Sequence, residues 1–308
     1  MKYLKQQPGV GKDFPVTSLR EITILLKLKH PNIVSVHEVV IGSSRRDVFM
    51  VMEFVDHDLK FLMEQMKFCW EQSEIKRLMM QLLDAVAYLH DNWIIHRDLK
   101  TSNILLNNMG QLKIADFGMG RKYAEPCGSM SPLVVTLNYR APEITLGANS
   151  YGPAIDMWSV GCIFGELVLH TQVFDAYTEV ELIHAMNSML GPPNEQNWPG
   201  YKKLKYSHMI FPVVKTPKLD VKLNSTNLSS SGKSLLRALL TYDPDQRVTA
   251  RKSLKHAYFS DKPLAKPEQY MPTFKPTNDG DREQKRTRTE EIPHDQAARP
   301  SMGFKLKF

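Results

Sequence analysis

The run His96-Arg97-Asp98-Leu99-Lys100-Thr101-Ser102-Asn103 constrains this chain more than any other part of it. Asp116-Phe117-Gly118 stands close behind, and Ala141-Pro142-Glu143 further on. A carboxylate can orient an attacking hydroxyl, a cation can meet a terminal phosphate, and two oxygen-bearing side chains can hold magnesium. Asp98, Lys100, Asn103 and Asp116 supply that set, so the segment points to phosphoryl transfer from a nucleotide. A lone Asp-Phe-Gly would mean little, because triplets recur by chance. The three segments in this order in one chain make coincidence untenable.

Length and composition set the outer bounds. A chain of 308 residues can bury a substantial core. Its formal charge of +7 is moderate, and the basic residues are spread along the chain, which disfavours direct nucleic-acid binding. Cys69, Cys127 and Cys162 are few, odd in number and far apart, so neither a disulfide framework nor a zinc site is suggested. No secretory signal opens the chain. The most apolar stretch, Trp158 to Leu169, contains Glu166 and is too short to cross a bilayer, so it reads as a core helix rather than a membrane span.

Periodicity orders the elements. Leu19, Ile22, Leu26 and Lys29 recur at helical spacing between Thr17 and Lys29, and Pro31 ends that helix. Ile33–Val40 and Asp47–Phe54 are rich in Val, Ile and Phe. They flank Gly42-Ser43-Ser44, which suggests an antiparallel hairpin. Long helices follow, beginning with Ser73–His90, where Ser73 is a plausible N-cap and Ile75, Leu78, Met79, Leu82, Val86 and Leu89 share a face. From Lys262 onward Pro and charged residues dominate, and the reading is a mostly disordered basic tail. Lys285-Arg286-Thr287-Arg288 within it is read as solvated charge.

The catalytic-type run, Asp-Phe-Gly and Ala-Pro-Glu resemble the protein-kinase signature. Further segments narrow the resemblance to the PITSLRE branch of the cyclin-dependent kinases. These are Phe14-Pro15-Val16-Thr17-Ser18-Leu19-Arg20-Glu21, Asp91–Ile95, Asp156–Glu166 and the ending Gly303–Phe308. Leu190–Asn194 with Trp198-Pro199-Gly200 resembles an insert shared with the mitogen-activated kinases. The resemblance implies an α+β, two-lobed fold. Residues 1–54 would form a small, mostly β lobe, 55–261 a large helical lobe, and 262–308 the tail. It departs at Asn138, where the branch has Trp, and at Met119-Gly120, where it usually has Leu-Ala. Nothing before residue 53 fits a Gly-x-Gly-x-x-Gly loop, and Pro8-Gly9-Val10-Gly11-Lys12 lacks the third glycine. The small lobe is therefore expected to be incomplete, truncated before that loop.

What the resemblance implies is specific. Asp98 would orient the substrate hydroxyl, Lys100 would meet the γ-phosphate, Thr136 would steady both, and Asn103 and Asp116 would bind Mg2+. Lys2 would pair with the α- and β-phosphates of ATP and Glu21 would hold Lys2, although Ser18-x-x-Glu21 also fits a capping box. Met52 would be the gatekeeper, Glu53 and Val55 would offer backbone hydrogen bonds to adenine, Asp58 would lie near the ribose, and Leu105 and Ala115 would floor the pocket. Taken alone, Met52 and Leu105 are ordinary core residues. Ser131 would be the activating phosphorylation site, gathered by Arg20, Arg97 and Arg121. Val134, Val135 and Arg140 would favour proline after the target Ser or Thr. Glu143 would pair with Arg247, and Asp156 would anchor the catalytic loop.

The resemblance also implies a cyclin partner of the L type, Ser/Thr-Pro protein substrates and a role in transcription, pre-mRNA splicing and cell-cycle control. The location implied is the nucleus, with the cytoplasm also open. A second reading stays beside it: a lid-less, weak or inactive kinase fold that occupies cyclin or substrate without turnover.

Overall fold

The computed structural model describes residues 1–4, 16–42, 48–65, 69–123, 135–209 and 216–275. Strand β1 (Lys2–Leu4) forms one edge of a three-stranded sheet. In it the central β3 (Val48–Met52) pairs antiparallel both with β1 and with β2 (Val36–Ile41). The β-branched and aromatic content of β2 and β3 suits a half-buried pleated surface.

Helix α1 (Val16–Leu25) lies between β1 and β2 in sequence, and its buried face differs from the expected one. Leu19 and Leu26, which share the apolar stripe, are 50% and 51% exposed, whereas Glu21, Ile24, Leu25 and Leu28 are buried. The helix turns inward the face that carries Glu21, because that carboxylate meets Lys2. A buried glutamate is invisible to a reading based on apolar spacing.

The second sheet joins β4 (His57–Asp58), β6 (Ile104–Leu106) and β7 (Leu112–Ile114), and a two-stranded ribbon joins β5 (Ile94–Ile95) to β8 (Arg121–Lys122). The first sheet is tied to the large lobe through residues 32–34. Val34 N–H donates to Ile114 O at 3.0 Å, and the Asn32 amide donates to Gln81 Oε1 and Leu112 O, each at 2.8 Å.

The helices are α2 (Leu59–Gln65), α3 (Gln72–Asp91), α4 (Pro142–Thr145), α5 (Ala154–Leu169), α6 (Glu179–Leu190), α7 (Lys218–Asn224), α8 (Ser230–Leu239) and α9 (Ala250–Leu254). Glu71 caps α3, donating its N–H to Glu74 Oε2 at 2.9 Å; Ser73, the expected cap, lies inside the first turn. Helix α5 is buried from Ile155 to Val168 and packs against α3 and α8, which places it at the centre of the large lobe. No helix among the described residues is long and apolar enough to cross a membrane.

The expectation of disorder from Lys262 is corrected for residues 262–275. Lys266 N–H donates to Ser73 O at 2.9 Å, its ammonium pairs with Glu71 and Glu74, and Met271 is buried. Composition is polar here because the segment is held by hydrogen bonds and charges rather than by an apolar face. The remaining tail, 276–308, with Lys285–Arg288, lies outside the described residues.

Candidate active site

The loop between β5 and β6 brings Asp98, Lys100 and Asn103 together, and Thr136 joins them from the segment ahead of α4, while Asp116 follows β7. Asp98 Oδ1 accepts from Thr136 Oγ1 at 2.7 Å and from Thr136 N at 3.1 Å. Asp98 Oδ2 lies 2.8 Å from Lys100 Nζ and 3.1 Å from Asn103 Nδ2. Lys100 also donates to Thr136 Oγ1 at 2.9 Å, so the hydroxyl bridges the ammonium and the carboxylate. Such charge-assisted bonds hold a carboxylate in one orientation, as a group aligning a hydroxyl requires.

Beside this cluster, buried Lys2 reaches Glu21 Oε1 at 2.6 Å and Asp116 Oδ1 at 3.2 Å. Burial works against the lysine's charge, but Asp116 and Glu21 more than offset it and raise its pKa. Burial likewise works against ionised Asp116, yet Lys2 outweighs it and holds that carboxyl below its ordinary value. Of the two readings of Glu21, the ion pair is the one realised; Ser18 lies within α1 rather than before it.

The loop is pinned from below. Fully buried Asp156 on α5 accepts from His96 N and Arg97 N, each at 2.9 Å, and lies 3.0 Å from His90 Nε2. His96 is structural: its Nδ1 accepts from Asp98 N at 3.2 Å, which leaves Nε2 to donate to Ala115 O at 3.1 Å. Arg97, Asp116 and Val135 all adopt left-handed backbone conformations, with φ of 66°, 61° and 71°. Strain of this kind persists only where the surroundings over-determine it. At Val135 the restraint is Arg140, which donates to Val135 O through Nε at 3.3 Å and Nη2 at 3.1 Å while pairing with Glu179 at 2.7 Å.

Met52 ends β3, and Leu105 and Ala115 are partly buried on and beside β6 and β7. Glu53 N–H donates to Ser35 O at 3.0 Å, and its carboxylate is held by Ser35 and by Lys113 at 2.9 Å. That leaves its main-chain carbonyl, not its N–H, to face a ligand. Val55 is buried, and Asp58 uses Oδ1 to accept Phe61 N–H at 2.8 Å, capping α2. Ser131 and Val134 lie outside the described residues. The Arg97 guanidinium donates to Met119 O at 2.7 Å and Tyr151 OH at 2.9 Å. The arginine ion pairs among the described residues belong to Arg140, Arg237, Arg247 and Arg251; Arg20, Arg97 and Arg121 have none.

One group at the site escaped the sequence reading. Glu166 on α5 accepts from Tyr139 OH at 2.6 Å and Thr101 Oγ1 at 3.3 Å, joining the catalytic loop to the segment that carries Arg140. A glutamate inside the apolar run that ends α5 was the available signal. Asn138, where the resemblance expects Trp, donates to Gln172 Oε1 at 2.5 Å.

The oxygen donors fit Mg2+. Asn103 spends its amide nitrogen on Asp98, which leaves Oδ1 as an acceptor, and Asp116 gives Oδ1 to Lys2, which leaves Oδ2. Mg2+ takes one or two such ligands together with substrate phosphates.

Residues 1–259 match the protein kinase domain family, and the chain belongs to it. Its α+β, two-lobed fold is the one expected. Within that family it is similar to cyclin-dependent kinases. Cyclin-dependent kinase G-2 of Oryza sativa subsp. japonica is 52% identical over 294 residues, covering 93% of this chain and 41% of that protein. The serine/threonine-protein kinase ppk23 of Schizosaccharomyces pombe is 44% identical, covering 92% of this chain and 71% of that protein. A chain of the CAK complex of Chaetomium thermophilum bound to ATP-gamma-S matches with a TM-score of 0.81 and 33% identity, over 89% of this chain and 86% of its own length. The chain thus spans about two fifths of the length of the rice relative.

Proposed function

We propose that this chain is the catalytic part of a cyclin-dependent, proline-directed Ser/Thr protein kinase that transfers the ATP γ-phosphate to protein hydroxyls with Mg2+. The observation that carries the reading is Asp98, held by Thr136, Lys100 and Asn103 beside the Lys2–Glu21–Asp116 cluster. Asp98 orients the substrate hydroxyl and takes its proton, Lys100 meets the γ-phosphate, and Lys2 meets the α- and β-phosphates. Asn103 and Asp116 would hold Mg2+, which would supply neutralisation of phosphate charge. A proline preference follows from Val135. Its carbonyl is occupied by Arg140, so a substrate N–H at that point would find no acceptor, and proline, which has no N–H, loses nothing.

The cyclin is of the L type and meets the exposed stripe of α1. The branch is the PITSLRE one, the location nuclear, and the role one in transcription, pre-mRNA splicing and the cell cycle; the segments around Arg20-Glu21 and Asp156–Glu166 support this. The test is Asp98→Asn in a form carrying a glycine-rich loop ahead of Lys2. Phosphorylation of Ser/Thr-Pro peptides falls about 10²- to 10⁴-fold while cyclin binding is unchanged. Undiminished turnover overturns the assignment.

A further inference from the structure

The family match ends at residue 259, but the described chain continues to Lys275 and grips the large lobe. Buried Lys76 on α3 donates to Asp261 O at 2.6 Å and Pro263 O at 2.7 Å, with its ammonium 4.8 Å over the Tyr258 ring. Arg77 Nε donates to Lys266 O at 2.6 Å, and Lys266 Nζ reaches Glu71 at 2.9 Å and Glu74 at 2.8 Å. Further along, Met271 packs on Gly110 in the β6–β7 turn. The glycine has a φ of +79°, and a Cβ there would lie 2.8 Å from that of Met271.

The far end of this segment reaches β4, which closes the hinge, the link of residues 53–56 between β3 and β4. Phe274 N–H donates to Asn108 Oδ1 at 2.7 Å, and Asn108 Nδ2 donates back to Phe274 O at 3.0 Å. That reciprocal pair fixes the Phe274 backbone. Its ring stands edge-on to His57, centroids 5.7 Å apart, and to Trp70 at 6.0 Å. His57 is buried, pairs with Leu106 beside the pocket floor, and lies between Val55 and the cap residue Asp58. Strand β4 has two residues, too few to hold a position by its own ladder, so what backs it decides where the hinge sits.

We propose that residues 261–275 are a strap that fixes the hinge limb Met52–Asp58, with Phe274 as a positioning residue acting through His57. This rests on the nucleotide-site reading above. Removing the ring opens a gap behind His57 and loosens the hinge that frames the adenine, without touching a ligand.

The test uses chain 1–308 with Phe274→Ala and, independently, Gly110→Ala, which displaces the strap from the opposite side. Hydrogen exchange of peptides covering 52–59 accelerates in both, while that of α5 is unchanged, a pattern that general destabilisation would not produce. Affinity for a non-hydrolysable ATP analogue falls by roughly five-fold. Phe274→Trp restores slow exchange at the hinge. Unchanged exchange at 52–59 in variants whose 264–274 peptides do exchange faster overturns the proposal. If the parent chain binds no nucleotide, the nucleotide-site reading fails, and the hinge exchange still decides the strap.

Discussion

Glu143 and Arg247, 104 residues apart, form a two-pronged ion pair with Nη1 2.8 Å from Oε1 and Nη2 2.9 Å from Oε2. Both side chains are almost wholly buried. Arg247 also donates to Thr241 O, Ala154 O and Tyr242 O, and lies 5.1 Å from the Trp158 ring. It therefore ties α4, the start of α5 and the loop before α9 together. Arg247→Met strands the Glu143 carboxylate in a dry site. The expected loss is about 3–5 kcal/mol, read from the urea midpoint, with the double variant Glu143→Gln/Arg247→Met losing less than the sum. A midpoint at the parent value refutes the pair's role.

Acid stability traces to Asp156. Burial alone would push its carboxyl up, but the hydrogen bond and electrostatic interaction with His90, the interaction with His96 and the Arg97 N–H outweigh it and hold the value below the ordinary one. A depressed folded value means that the contribution is complete above roughly pH 4 and is lost as pH falls through the lower folded value. The expected result is that Asp156→Asn is less stable than the parent at pH 6, and that this gap narrows on acidification below pH about 4. Urea midpoints across pH 3–6 measure it; a constant gap contradicts it.

Glu166 has the opposite sign. Burial pushes its carboxyl up, against the hydrogen bonds from Tyr139 and Thr101. A raised folded value means that ionisation disfavours the fold once pH exceeds the unfolded value. Glu166→Gln is expected to gain stability relative to the parent as pH rises from 4 to 7. A relative loss over that range would contradict the assignment.

Activation is expected to need a phosphate on Ser131. Arg20, Arg97 and Arg121 have no carboxylate partner among the described residues, and a phosphate supplies the acceptors and charge to gather them. Ser131→Ala in the cyclin-bound protein should lower activity and raise protease cleavage between Gly118 and Thr136. Mass spectrometry showing Ser131 unmodified in active protein removes this mechanism.

Local chemistry was legible without a structure wherever residues act near their own place in the chain. Asp98, Lys100 and Asn103 share one loop, so their spacing already announced their convergence, and the apolar run of α5 announced a core helix. Glu21 was legible as a partner of Lys2 only through resemblance, since nothing local says which face of α1 turns inward. Tertiary structure alone decided that Leu19 and Leu26 face out, because a buried ion pair selected the face that hydropathy would reject. It alone joined Thr101, Tyr139 and Glu166, three residues with no shared periodicity whose hydroxyls and carboxylate meet inside a packed lobe. It alone turned 262–275 from a polar tail into a strap. Composition records how much apolar surface a segment can bury, but it does not record that α3, with Lys76 and Arg77, and the β6–β7 turn, with Asn108, stand ready to satisfy its backbone.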